Sequence, residues 1–146
     1  MNNLVTRRNG LHLIGTLIEC DKFRLADPYD LYNFLCEFPK KIGMRLIAEM
    51  ENPILLSCYG DEVDPLNVGY TGVGVFYESH FSFHAWPEHD QSVDFDVFSC
   101  KQFDYIFALR ELRNYFLGDP VGCVLLERTD RGARVINPTE DLNEVE

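Results

Sequence analysis

The chain has 146 residues, 46% of them hydrophobic and 13% aromatic, which excludes a disordered segment and leaves room for one domain with a core of its own. Against 13 Lys plus Arg stand 24 Asp plus Glu, a formal net charge of −11, and that balance argues against a nucleic-acid partner because backbone phosphates would be repelled. No apolar run reaches the roughly 20 residues a membrane helix needs, so no membrane span is expected.

In chain order, Leu11 to Ile18 is largely apolar and reads as a first strand, ended by the polar turn Glu19 to Lys22. Asp27-Pro28 supplies an N-cap and a first-turn proline, and Leu31, Phe34, Leu35 and Phe38 follow at helical spacing, with Pro39 and Gly43 expected to close that helix. Met44 to Met50 reads as a second strand, and residues 51–67, with two prolines and a glycine, as a long loop. Strands are expected over Tyr70 to Tyr77, through Phe81, Phe83 and Ala85, and over Val93 to Cys100. A second helix carries Phe103, Phe107, Leu109, Leu112 and Phe116, with Asp104 near its start and Gly118-Asp119-Pro120 as its stop; Val121 to Glu127 is a last strand. The tail from Thr139 to Glu146 has four acids in eight residues and is expected to be solvated and mobile. This order predicts one α+β domain over residues 1–146, a two-layer sandwich with an antiparallel or mixed sheet and both helices on one face. Two layers leave the other sheet face uncovered, and because the sheet carries several aromatics on alternating positions that face is expected to be covered by a second copy of the chain, giving a homodimer. The five cysteines are scattered without a CxxC pair and the opening MNNLVTRRNG carries no apolar signal segment, so a reducing cytoplasm is the expected compartment.

Chemistry concentrates in Glu78-Ser79-His80-Phe81-Ser82-Phe83-His84-Ala85-Trp86-Pro87-Glu88-His89, which packs three of the four histidines into twelve residues. Polar groups at that density need partners or solvent. A zinc site is not expected: His80 and His84 share a strand face but stand about 13 Å apart, too far for one ion. A serine hydrolase is not expected either, because Ser79 lies outside a Gly-x-Ser-x-Gly elbow. Taken singly, each histidine reads as structural or surface, and Cys100 as an inert thiol.

Three blocks together carry a resemblance. Tyr70-Thr71-Gly72-Val73, the Glu78 to Glu88 segment, and Asp96-Val97-Phe98-Ser99-Cys100 resemble the central blocks of the small prokaryotic S-adenosylmethionine decarboxylases, and the order of elements is similar over roughly Leu11 to Arg128. The resemblance implies a proenzyme that cuts itself at Glu78-Ser79 into a beta chain, residues 1–78, and an alpha chain, residues 79–146. Ser79 becomes a pyruvoyl group that forms a Schiff base with the α-amine of S-adenosylmethionine; no metal and no pyridoxal phosphate are implied. By the same resemblance Thr71 supplies a hydroxyl that assists processing, His84 is the processing base, and Cys100 is the proton donor to the decarboxylated carbanion. These types suit the roles: histidine titrates near neutrality and a thiol ordinarily carries its proton there. Glu88 is implied to bind the ribose hydroxyls, with Trp86 and Phe81 as further substrate contacts. The expected product is decarboxylated S-adenosylmethionine for spermidine synthesis.

Two departures qualify the match. Ser79 to Cys100 is one residue longer than in the family members compared, the extra residue falling between Glu88 and Asp94. The aromatic that stacks on adenine has no counterpart in Asp64-Pro65-Leu66-Asn67-Val68, which leaves Tyr59 or Tyr70 for that role. Alternatives are therefore the same chemistry on arginine or ornithine, or an uncleaved binding or regulatory homologue. The acids Glu51, Asp61, Glu62 and Asp64 could bind a diamine, an ordinary solvated loop being the simpler reading.

Overall fold

A computed structural model describes residues 9–146. The polar lead-in of residues 1–8, and the absence of a leader read from it, lie outside the described residues. Seven strands, β1 (Gly10–Ile18), β2 (Ile54–Cys58), β3 (Gly69–Val75), β4 (Ser79–Trp86), β5 (Ser92–Ser99), β6 (Asp119–Thr129) and β7 (Gly132–Ile136), form one antiparallel sheet in the order β2-β3-β4-β5-β1-β6-β7. Helices α1 (Lys22–Ala26), α2 (Pro28–Lys41) and α3 (Tyr105–Phe116) complete the expected α+β two-layer architecture.

Period-two alternation decides the two sheet faces. Leu11, Leu13 and Leu17 on β1, Phe81, Phe83 and Ala85 on β4, and Val93, Phe95 and Val97 on β5 are all buried beneath the helices. Against them α2 presents Leu31, Phe34, Leu35 and Phe38, and α3 presents Ala108, Leu109, Leu112 and Phe116. Aromatic rings knit the layers: Phe38 meets Phe81 at 4.6 Å between centroids, and Phe34 stacks on Tyr115 at 4.0 Å. Gly15 allows close approach here, because a Cβ would lie 2.4 Å from Cys123 Sγ. Phe81→Ala should lower unfolding free energy by about 3–5 kcal/mol, read by denaturant titration, since it empties the centre of this cluster.

Helix ends follow local chemistry. The Asp27 carboxylate accepts from the amides of Tyr29 and Asp30 at 3.1 and 3.2 Å, and Asp104 caps α3 through Phe107 N at 2.9 Å. Phe107 itself points off the buried stripe, its place in the core taken by Ala108.

Several expected boundaries differ. Pro39 lies inside α2, buried, and the helix runs on to Lys41 before Gly43 at φ +78 turns it away. Residues 44–50 make a single bridge, Leu46 to Phe76, instead of a strand. The segment expected as a loop contains edge strand β2, and β7 and the five-residue α1 are additional. The acidic tail is packed down: Leu142 and Val145 are buried, and Asn143 Oδ1 accepts from Cys123 N at 2.7 Å. Two apolar residues three apart and one side-chain hydrogen bond secure it despite its charge.

Candidate active site

The sheet face opposite the helices mixes polar and apolar side chains, with Phe81, Phe83 and Phe95 turned to the helix side instead, and its rungs can be read across strands. One rung runs Thr71, His84, Asp94, Thr16; the next Val73, Ser82, Asp96, Ile14; the next Val75, His80, Phe98, His12. On the first, Thr71 Oγ1 lies 2.9 Å from His84 Nδ1, and the Thr16 hydroxyl donates to Asp94 at 2.7 Å. Thr71 and His84, singled out separately in the sequence, meet within one chain because neighbouring antiparallel strands put these residues directly opposite. Cys58 Sγ, 3.7 Å from Thr71 Oγ1, borders the pair. Trp86 lies parallel to His84, 6.2 Å between centroids.

His80 is drawn elsewhere. Asp96 Oδ1 is 2.8 Å from His12 Nε2 and 3.3 Å from His80 Nε2. Burial works to raise the Asp96 pKa, but the bonds from His80 and His12 prevail and hold its carboxyl below the ordinary range. Among the described residues no group of three or more His, Cys, Asp or Glu side chains is arranged to hold a metal ion.

The bond between Glu78 and Ser79 sits at the start of β4, with Ser79 at φ +152, a region that non-glycine residues rarely occupy and that costs about 1–3 kcal/mol. The Glu78 carbonyl accepts from the backbone N–H of Cys100 at 2.8 Å, and the Ser79 carbonyl from Phe76 N at 2.8 Å. A donor already aimed at the Glu78 carbonyl is what an oxyanion formed there would need. The side chain of Cys100 is exposed at the end of β5. The Glu78 carboxylate is buried against Arg45, whose Nε is 3.0 Å away and whose backbone N–H donates at 3.2 Å.

Two groups of residues therefore occupy opposite ends of β4. Glu78, Ser79 and Cys100 are at one; Thr71, His84, Trp86 and Glu88 are at or beyond the other. Five residue steps along β4 separate Ser79 from His84, about 16 Å. Glu88 follows β4 and pairs with Lys22 at 3.1 Å. Trp86, Asp64, Asn67, His89, Asp94 and Thr16 line a neighbouring cavity of about 320 Å³.

Phe81 is the exception among the expected substrate contacts. It is fully buried between Phe34 and Phe38 beneath the helices, because odd-numbered β4 residues face the core, and it cannot touch substrate. Tyr70 packs against the core for the same reason, while Tyr59 is 81% exposed. Asp61 folds its own loop, accepting from Val63 N at 2.9 Å and Asp64 N at 2.8 Å, and these bonds lower its pKa. Arg45 and the Cys100 amide were not legible in the motif block: the first lies 33 residues before Glu78, and the second contributes its backbone.

The fold and these two half-sites define the class. A family model described as S-adenosylmethionine decarboxylase matches residues 11–129, and the chain belongs to that family. It is similar to proteins named S-adenosylmethionine decarboxylase proenzyme from Methanococcus vannielii, 30% identical over 82% of this chain and 88% of the relative. The relative of that name from Synechococcus sp. is 30% identical over 82% and 94%, and the one from Pyrobaculum neutrophilum 33% identical over 75% and 87%. The solved adenosylmethionine decarboxylase of Aquifex aeolicus shares the fold, with a TM-score of 0.59 at 21% identity over 92% of this chain and 97% of that one.

Proposed function

We infer that the chain is a self-processing, pyruvoyl-dependent decarboxylase converting S-adenosylmethionine to its decarboxylated form for spermidine synthesis. The observation that carries this reading is the state of the Glu78-Ser79 bond: strained at Ser79, with its carbonyl already bonded to the Cys100 N–H. The Ser79 hydroxyl attacks the Glu78 carbonyl carbon. As the C–N bond breaks, the hydroxyl proton passes to the freed Ser79 amine and an ester joins the two residues. Removal of the Ser79 α-proton by a base then breaks the Cβ–Oγ bond, releasing Glu78 as a carboxylate and leaving dehydroalanine, which adds water and loses ammonia to give the pyruvoyl group. That group supplies an electrophilic carbonyl that captures the substrate amine and accepts electrons as carbon dioxide leaves. Cys100 returns the proton to the substrate carbon. Glu88 accepts the ribose hydroxyls, Trp86 and Tyr59 offer surfaces for the adenine, and Asp94 and Asp96 favour a sulfonium cation.

One chain does not bring His84 to Ser79, and a second copy supplies the missing half. A two-fold dimer that covers the open sheet face sets the Ser79 end of one β4 beside the His84 end of its partner, so each site draws Ser79 and Cys100 from one copy and Thr71, His84 and Glu88 from the other. The working unit is a homodimer of cleaved protomers. Five unpaired cysteines support a cytoplasmic location.

Carbon dioxide release tests the reading. With S-adenosylmethionine, arginine and ornithine offered separately, release comes from S-adenosylmethionine. Cys100→Ala still cleaves, because alanine retains the backbone N–H, but loses about two orders of magnitude in decarboxylation, the usual worth of a general acid. Release from arginine or ornithine alone would move the substrate, and a fully active Cys100→Ala enzyme would remove the thiol from the mechanism.

A further inference from the structure

Self-cleavage requires the Glu78-Ser79 bond to be held in one unusual conformation until it reacts. Ser79 at φ +152 relaxes unless its flanks are pinned. Downstream the pin is the Phe76 amide on the Ser79 carbonyl. Upstream it is the Glu78 side chain, only 7% exposed, with Oε1 3.0 Å from Arg45 Nε and Oε2 3.2 Å from the Arg45 N–H.

Arg45 is itself well placed. Its guanidinium lies 5.0 Å above the Tyr77 ring, its carbonyl accepts from Tyr77 N at 3.0 Å, and the Tyr77 hydroxyl donates to Glu49 at 2.7 Å. Burial of Glu78 opposes its ionisation, yet the hydrogen bonds from Arg45 hold its carboxyl below the ordinary range, so the pin is an ion pair. Lys101 Nζ stands 3.8 Å from Oε1, but its close bond goes to the Gly43 carbonyl at 2.9 Å. At that distance it does not replace the Arg45 Nε bond to Oε1.

We propose that Arg45 is a positioning residue for the self-cleavage: by fixing the Glu78 side chain it keeps the Glu78 carbonyl on the Cys100 N–H and Ser79 in the strained conformation from which its hydroxyl attacks. The inference rests on the self-processing reading above. It gives Arg45 no contact with the reacting atoms and no part in decarboxylation after cleavage.

The test follows conversion of newly translated full-length chain into residues 1–78 and 79–146 by denaturing mass spectrometry over time. Arg45→Ala slows conversion by about tenfold or more, the size expected for losing a hydrogen bond to a charged group. Millimolar guanidinium ion restores part of the rate, and Arg45→Lys is intermediate. Arg45→Ala cleaving at the wild-type rate overturns the inference while leaving self-processing intact. A slow variant with a lowered melting temperature and no response to guanidinium also overturns it, assigning Arg45 a structural role. A wild-type chain that never cleaves overturns the self-processing reading itself, and the inference with it.

Discussion

Ser79→Ala is expected to leave the chain whole and without decarboxylase activity. The variant keeps every backbone contact at the site, including the Cys100 N–H to Glu78 carbonyl bond and the Phe76 N–H to Ser79 carbonyl bond. What it loses is Oγ, the nucleophile of the proposed cleavage. No ester forms, no elimination follows, and residue 79 never acquires an electrophilic carbonyl, so the loss is complete on both counts. Because Ser79 is the half-buried first residue of β4, its hydroxyl adds little to packing, and the melting temperature should stay within a few degrees of wild type. Gel electrophoresis under denaturing conditions and carbon dioxide release read the two effects. A cut Ser79→Ala chain would place the nucleophile elsewhere.

The second large effect comes from mixing two inactive variants. On the proposed mechanism Ser79→Ala lacks the nucleophile and His84→Ala lacks the base, so neither is expected to yield cleaved protein alone. When the two are made in the same cells, the mixed dimer contains one site with both substitutions and one site with neither. In the intact site the His84→Ala chain is cleaved, using its own Ser79 and the partner copy's histidine. Up to half of the chains in mixed dimers become fragments, and tagging the two variants differently identifies which chain is cut. If cleavage required Ser79 and His84 of the same chain, nothing would be cut in the mixture. The prediction follows from strand geometry: five residue steps along β4 keep these two residues about 16 Å apart whatever the surrounding packing.

Much of this architecture was legible before any coordinates. Leu11 to Ile18, Phe81 to Ala85 and Val93 to Ser99 carry clear alternation, and Asp27-Pro28 and Asp104 mark helix starts with specific hydrogen-bonding chemistry. Elements at the sheet edges were not. β2 follows Pro53 and exposes Leu56 at 58%, and β7 is a five-residue strand exposing Val135 at 61%, so neither bears the buried alternation that identifies an inner strand. Helix α1 is too short for a helical period. The acidic tail misleads by its charge, since Leu142 and Val145 anchor it while the acids between stay in water.

At the site, residue types were legible and distances were not. Thr71 and His84 meet across β3 and β4, a contact the motifs did not state, and the same strand that aligns them carries His84 away from Ser79. Phe81, inside the most informative segment, is a core residue because of its parity on β4. Arg45 leaves no mark in the sequence at all, being a single basic residue in a segment without periodicity. Its importance emerges only when the chain brings it against a buried carboxylate.

The central claim is that this chain cuts itself between Glu78 and Ser79. Denaturing mass spectrometry of the purified wild-type protein tests it most directly. Two species, residues 1–78 and residues 79–146 with a pyruvoyl group in place of the amino-terminal serine, are the predicted result; a single intact chain of 146 residues, in protein that is folded and dimeric, would contradict it.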